Sequence, residues 1–303
     1  MTEDRASPTI HAPGTAYGAA LSGIGFFSIM DMVLKGLTIS IGAYPALLWR
    51  SLIGVAVMGA LFLALRSRWP DRATLKIHLI RGAITAGMSF LFFWGLGRVP
   101  MAQAVALTFI APLIALVLAS LLLHERIGRR TVAGSLAAFA GVIVIVIGQA
   151  RAEVGREAML GSAAILVSAL LYAWNIVLMR QQALAAKPIE IAFFQNLVVC
   201  ALLVVALLVA GPVARPTGHW GELLIVTGLA ILSQLLLGWA YARAGAGYLS
   251  TTEYSSFLWA MLLGWLRFGE TVSPFTLAGA ALILAGCWFA ARSSEHPTLE
   301  TIA

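Results

Sequence analysis

The sequence predicts an all-α integral membrane protein with ten transmembrane helices arranged as two inverted five-helix repeats. Three observations carry this prediction. First, 60% of the 303 residues are hydrophobic and 11% are charged, whereas soluble domains are about 45–50% apolar. Second, the apolar residues fall in runs of membrane-spanning length divided by turn signals. Third, features of the first half recur in the second at a constant offset, so that ERIGRRTVAG at 125–134 is matched by ETVSPFTLAG at 270–279.

A bilayer core about 30 Å thick needs about 20 residues of helix, and each span must satisfy its own backbone hydrogen bonds. Ten runs meet this requirement: 16–35, 44–65, 77–97, 101–123, 130–149, 158–179, 190–210, 220–242, 247–268 and 274–291. Breakers such as Trp69-Pro70-Asp71, Val99-Pro100, Lys187-Pro188, Gly211-Pro212 and Ser273-Pro274 separate them. The polar segments 1–14 and 293–303 are expected to be flexible cytoplasmic tails. With the N-terminus inside, the cytoplasmic side holds twelve Lys and Arg; the outside holds six, namely Lys35, Arg98, Arg151, Arg156, Arg215 and Arg267. Basic residues concentrate in cytoplasmic loops, so both termini are expected in the cytoplasm of a bacterial-type inner membrane.

The net charge of +7 is spread in short clusters between apolar runs. It presents no basic face, and no nucleic acid is expected as a partner. Cys200 and Cys287 lie within apolar runs of different halves and read as small core residues rather than a disulfide. No nucleophile elbow, zinc-protease motif or phosphate-binding glycine loop is present, and the five histidines lack metal-ligand spacing. No enzyme activity, cofactor or metal is therefore expected.

The repeat has a consequence for topology. Trp94, Arg98, Glu125, Thr131, Gly134 and Gly141 fall on Trp239, Arg243, Glu270, Thr276, Gly279 and Gly286, an offset of 145 (270 − 125). The repeats are expected at 15–150 and 157–292. Because five spans is an odd number, the second copy starts from the opposite side of the membrane. Two inverted halves can exchange roles and open a central site to each side in turn, the alternating-access design of secondary transporters.

The run AVALTFIAPLIAL at 104–116, the LLLHE ending at 121–125 and the repeated T-x-A-G glycines resemble the EamA branch of the drug/metabolite transporter superfamily. That resemblance implies a ten-helix carrier of amino acids or similar small metabolites, commonly an exporter, for which no oligomer is required. Two positions depart from the pattern: Phe257 stands where the first half has Pro112, and His124 precedes Glu125 where Gly269 precedes Glu270. A cationic or nucleoside-like metabolite such as S-adenosylmethionine, or a drug, is the alternative cargo. A lipid-handling or scaffold protein is the alternative of another class.

Candidate residues follow from depth in the membrane. The substrate site of an inverted-repeat carrier lies near the midplane, which points to Ser89, Trp94, Thr108, Tyr172, Asn175, Gln234, Trp239, Tyr254 and Ser256. Ser89 with Gln234, and Trp94 with Trp239, are repeat-related. The plainer alternative is that the hydroxyls bond their own helix backbone and the tryptophans belong to the interfacial belt. Intramembrane charges are costly, and Asp31 with Arg50, and Arg81 with Glu253, lie at matching depths, as gating ion pairs or fixed anchors. Gly95, Gly97 and Pro100, and Gly245 with Gly247, are candidate hinges or ordinary turns. Glu125 and Glu270 read as caps for the helices that follow them, and the repeated glycines as packing contacts between the fifth and tenth spans.

Overall fold

The computed structural model describes residues 13–67, 69–111, 113–115, 129–151, 155–213, 215–241, 243, 252–253 and 255–291. All regular secondary structure among them is helical: α1 (Pro13–Ile41), α2 (Ala43–Ala64), α3 (Arg72–Leu96), α4 (Met101–Thr108), α5 (Arg129–Arg151), α6 (Arg156–Ala185), α7 (Pro188–Ala210), α8 (Trp220–Tyr241), α9 (Ser255–Phe268) and α10 (Pro274–Ala291). Six stretches are long and apolar enough to cross a membrane, Gly14–Ile41, Ala43–Ala64, Arg72–Leu96, Arg156–Ile176, Pro188–Val209 and Trp220–Ala240. Shorter apolar helices, Pro274–Gly286 among them, complete the set.

Local chemistry sets the boundaries. Gly42 alone separates α1 from α2, and its φ of 94° is a conformation that side chains rarely tolerate. Asp71 caps α3 by accepting from the Thr74 amide at 2.8 Å, which also holds its carboxyl below its ordinary value. Pro188 occupies the first turn of α7. Ser273 caps α10 through the Thr276 amide at 3.1 Å, with Pro274 at its first position.

The helices pack in a pattern that maps onto itself when the halves are exchanged. Helix α1 packs on α8 as α6 packs on α3; α1 meets α9 as α6 meets α4; α2 meets α8 as α7 meets α3. The self-related pairs α2–α7, α4–α9 and α5–α10 complete it. The closest of these is α5–α10, and glycine is the reason. A Cβ on Gly141 would sit 2.5 Å from the Gly279 carbonyl oxygen, and one on Gly286 would collide with the Gly134 carbonyl. Small residues permit such approach in lipid, where dispersion replaces the hydrophobic effect as the driving force. The α3–α6 crossing uses Gly95 in the same way against Gly161 and Ile165.

Two expectations are corrected here. Helix α1 continues to Ile41, so Lys35 is no outer-loop anchor but a buried residue, 2% exposed. Its ammonium donates to Glu270 and, at 2.6 Å, to the Val99 carbonyl. Glu270 does complement a helix N-terminus, but it is that of α4: its Oε2 accepts from the Met101 amide at 2.7 Å. Capping and ion pairing thus tie this carboxylate of the second half to two places in the first. Glu125 lies outside the described residues.

A central cavity built from repeat-related residues

A cavity of about 390 Å³ lies at the centre of the bundle, lined by every described helix except α5 and α10. Helices α5 and α10 pack on each other and lend it no wall. The lining is not an arbitrary sample of the helices. Phe27 and Tyr172, Arg50 and Gln195, Ser51 and Asn196, and Gly54 and Val199 all line it, and each pair differs by 145 (172 − 27, 195 − 50, 196 − 51, 199 − 54). So do Thr85 and Ala230, Ser89 and Gln234, Phe92 and Leu237, and Thr108 and Glu253 (230 − 85, 234 − 89, 237 − 92, 253 − 108). A space bounded by equivalent positions of both repeats lies on the relation between them, where either half can act on its contents.

The walls divide by chemistry. Phe27, Phe92, Phe93, Phe109 and Tyr172 supply aromatic surface, while Gln195, Asn196 and Gln234 supply amides. Asp31, Arg50 and Glu253 bring charge. Asp31 is 8% exposed, and its Oδ1 is buried with no hydrogen-bond partner. A buried polar atom left unpaired costs about 1–3 kcal/mol, more for a charged group, so this oxygen is a place where a donor would be bound. The Asn196 amide is fixed by donating to the Ala192 carbonyl at 2.8 Å, which leaves its Oδ1 facing Gly54; a Cβ there would collide with it.

One wall is a helix end. Helix α4 stops at Thr108, with Phe109 as its cap, and both line the cavity. Pro112 lacks the N–H that would bond the Thr108 carbonyl, so the sequence itself breaks the helix there. Broken helices at mid-membrane are a recurrent source of substrate ligands in carriers, because they expose backbone dipoles where a cavity can use them.

The structure distributes the sequence-derived residues as follows. Ser89, Thr108, Tyr172, Gln234 and Ser256 line the cavity, as do Asp31, Arg50 and Glu253. Trp94 and Trp239 do not; each covers an arginine one turn later, with Arg98 3.6 Å and Arg243 4.2 Å from the ring centroids. Each guanidinium also donates to its tryptophan's carbonyl, at 2.9 and 3.1 Å. The repeated W-x3-R is therefore a cation–π clasp on a helix C-terminus. Asn175 is 4% exposed and lies behind the wall, accepting from Arg81 Nε at 3.0 Å. Neither anticipated ion pair is closed as a salt bridge: Asp31 and Arg50 share the cavity within electrostatic reach of each other, and Arg81 binds Asn175 and Gln182 instead of Glu253. Amides satisfy that guanidinium at no cost in a second buried charge. Gly95 is a packing contact rather than a free hinge, Gly97 abuts Thr38, and Pro100 precedes the first turn of α4. Tyr254, Gly245 and Gly247 lie outside the described residues.

Sequence reasoning missed Phe27, Ser51, Gln195 and Asn196. Extending the 145 offset into the second and seventh spans would have found three of them, since Arg50 falls on Gln195 and Ser51 on Asn196.

The sequence profile of the EamA-like transporter family matches this chain twice, at 15–147 and 159–292. The chain belongs to the EamA-like transporter family. It is accordingly a multi-pass membrane transporter of the drug/metabolite superfamily. The riboflavin transporter of Rhizobium johnstonii is 31% identical over 285 residues, covering 90% of this chain and 89% of that protein. The pseudopaline exporter of Pseudomonas aeruginosa is 27% identical over 278 residues, covering 89% and 93% respectively. A crystal structure with 23% sequence identity superposes with a TM-score of 0.61 over 94% of this chain, which shows the fold.

Proposed function

We propose that this family member is a secondary carrier in a bacterial inner membrane. Its ten spans form two inverted repeats at 15–150 and 157–292, and they alternate access to the central cavity. The observation that carries the proposal is the cavity's lining by repeat-related residues from both halves. Inverted halves give each face of the membrane an equivalent gate, and a shared site is what both gates serve. The volume of about 390 Å³ falls in the range of small-ligand sites, about 300–1,000 Å³.

The cargo best suited to these walls is an amino acid or a similar small zwitterion, exported from the cell. Arg50 can take a carboxylate, the unpaired Oδ1 of Asp31 can take an ammonium group, and Phe27, Phe92 and Tyr172 can cover an apolar side chain. Arg50 of α2 is matched by neutral Gln195 of α7 and Asp31 of α1 by Ile176 of α6, so the cavity is electrostatically asymmetric and the cargo would bind in one orientation. A second reading, a cationic or nucleoside-like metabolite, draws support from the aromatic surface beside Asp31 and Glu253, which attracts cations by ring quadrupole and charge alike.

Counterflow in proteoliposomes tests the proposal. Vesicles are loaded with each unlabelled amino acid in turn, and uptake of trace label is followed for the wild type, Arg50→Ala and Gln234→Ala. The expected result is exchange of neutral or aromatic amino acids, reduced at least tenfold in Arg50→Ala, or about 1.4 kcal/mol of binding. Exchange confined to organic cations or nucleosides would replace the zwitterion reading with the second one. Exchange unchanged in both variants would remove the cavity from the account.

A further inference from the structure

One buried polar chain has no counterpart in the other repeat. On α3, α6 and α7, Glu190, His78, Gln182, Arg81, Asn175 and Thr85 are joined by consecutive hydrogen bonds. His78 is fully buried, with Nε2 3.1 Å from Glu190 Oε1 and its ring stacked on Phe194 at 4.9 Å. Gln182 bridges His78 Nδ1 to Arg81, and Asn175 Oδ1 accepts from Arg81 at 3.0 Å and from Thr85 at 3.4 Å. Thr85 lines the cavity, so the chain runs from the start of α7 to the cavity wall.

The other repeat carries hydrocarbon at the equivalent positions. Positions related by 145 to His78, Arg81, Asn175 and Gln182 are Leu223, Val226, Met30 and Leu37 (223 − 78, 226 − 81, 175 − 30, 182 − 37), none more than 1% exposed. Thus α1 and α8 place hydrocarbon at the four positions where α3 and α6 bury a histidine, a guanidinium and two amides. The fold does not need them, and buried polar residues in membrane spans are costly enough that another role must retain them.

Hydrogen-bond polarity says what that role is. Arg81 only donates, so the oxygen of Gln182 faces it and the Gln182 NH₂ faces His78. Nδ1 of His78 must then accept, and Nε2 carries the proton and donates to Glu190. A second proton on Nδ1 would set donor against donor. Relief requires the Gln182 amide to turn over, which withdraws its oxygen from Arg81.

We propose that His78 is a proton-binding site coupled to the cavity: taking up a proton from solvent turns Gln182 and frees the Arg81 guanidinium toward the cavity wall. Tyr172 of that wall lies within electrostatic reach of both Arg81 and Glu253, so the released charge acts where the cargo binds. Among the described charged side chains of the packed elements, Arg156 of α6 and Lys187 before α7 are exposed, and Glu157 of α6 pairs with Arg98 at 2.8 Å. Glu190 on α7 already faces the imidazole, Arg72 and Lys76 of α3 are exposed, Asp31 and Arg50 of α1 and α2 line the cavity, and Lys35 is held by Glu270. Imidazole is the side chain that changes charge between about pH 5 and 8. The effect on transport rests on the carrier reading; the proton site does not.

The test is NMR of the full-length protein in nanodiscs with ¹⁵N-labelled His and Arg, assigned with His78→Gln and Arg81→Lys. The expected result is the Nε2–H tautomer for His78 at high pH. The Arg81 Nε resonance should then move with the His78 midpoint on acidification and lose that movement in His78→Gln. Glu190→Gln should change the His78 Nε2 resonance at high pH, because the carboxylate that accepts from it is gone. An Nδ1–H tautomer, or an Arg81 signal indifferent to His78 protonation, would overturn the proposal. Neither readout involves a substrate, so a failed counterflow assay and a failed proton site remain distinct results.

Discussion

At the scale of residues, Glu270 ties the two halves of the chain together. It neutralises a lysine that is 2% exposed and caps a helix from the other half of the chain. Removing one partner of a buried ion pair strands the other, at about 3–5 kcal/mol. Because the Glu270 side chain is 17% exposed, Lys35→Met is expected at the lower end, about 3 kcal/mol by that same rule. The double variant Lys35→Met/Glu270→Gln should lose clearly less than the sum of the singles. Thermal unfolding of the four proteins in detergent measures the coupling; strict additivity would mean that the pair does not act as a unit. Nothing in the sequence marked this contact. Lys35 lies at the end of a 20-residue apolar run, where a basic residue ordinarily reads as an interfacial anchor, and only the extra turns of α1 bring it inside.

Helix pairs show where the sequence speaks plainly and where it does not. The glycines at 134, 141, 279 and 286 announce the α5–α10 crossing because a repeated small residue at seven-residue spacing has few other uses in lipid. Gly141→Ala should cost about 1–3 kcal/mol by overpacking, since its Cβ would meet Gly279 and Ile283 at 2.5 and 2.7 Å. Gly228→Ala on α8 should be neutral or stabilising, because nothing lies within 4 Å of the added atom. Thermal midpoints of the two variants decide the matter, and equal effects would refute the packing role. Element ends were legible from caps such as Asp71, Pro188 and Ser273. The lining was less so. Span depth pointed to Ser89, Thr108, Tyr172, Gln234 and Ser256, which line the cavity, yet depth cannot tell which side of a helix faces inward, and Trp94 and Trp239 clasp arginines instead.

For the whole molecule, the constant offset is the most informative feature of the chain. It relates helix pairs, cavity walls and the arginine clasps, and it also exposes the place where symmetry is broken. Composition alone supplied the membrane class, and the repeat supplied the expectation of two exchangeable halves. The route from one end of α3 to the cavity through His78 and Arg81 was not readable beforehand, because its members are scattered over 113 positions (190 − 78 + 1) and meet only on folding. The central claim is that one cavity, shared by both repeats, opens to each side of the membrane in turn. Labelling a single cysteine at position 89 tests it most directly. Cys200 and Cys287 are first replaced by serine, and Ser89→Cys is then exposed to a membrane-impermeant thiol reagent in right-side-out and in inverted vesicles. The account predicts modification from both sides, slowed by cargo in each case. Modification from one side only, under every loading condition, would contradict it.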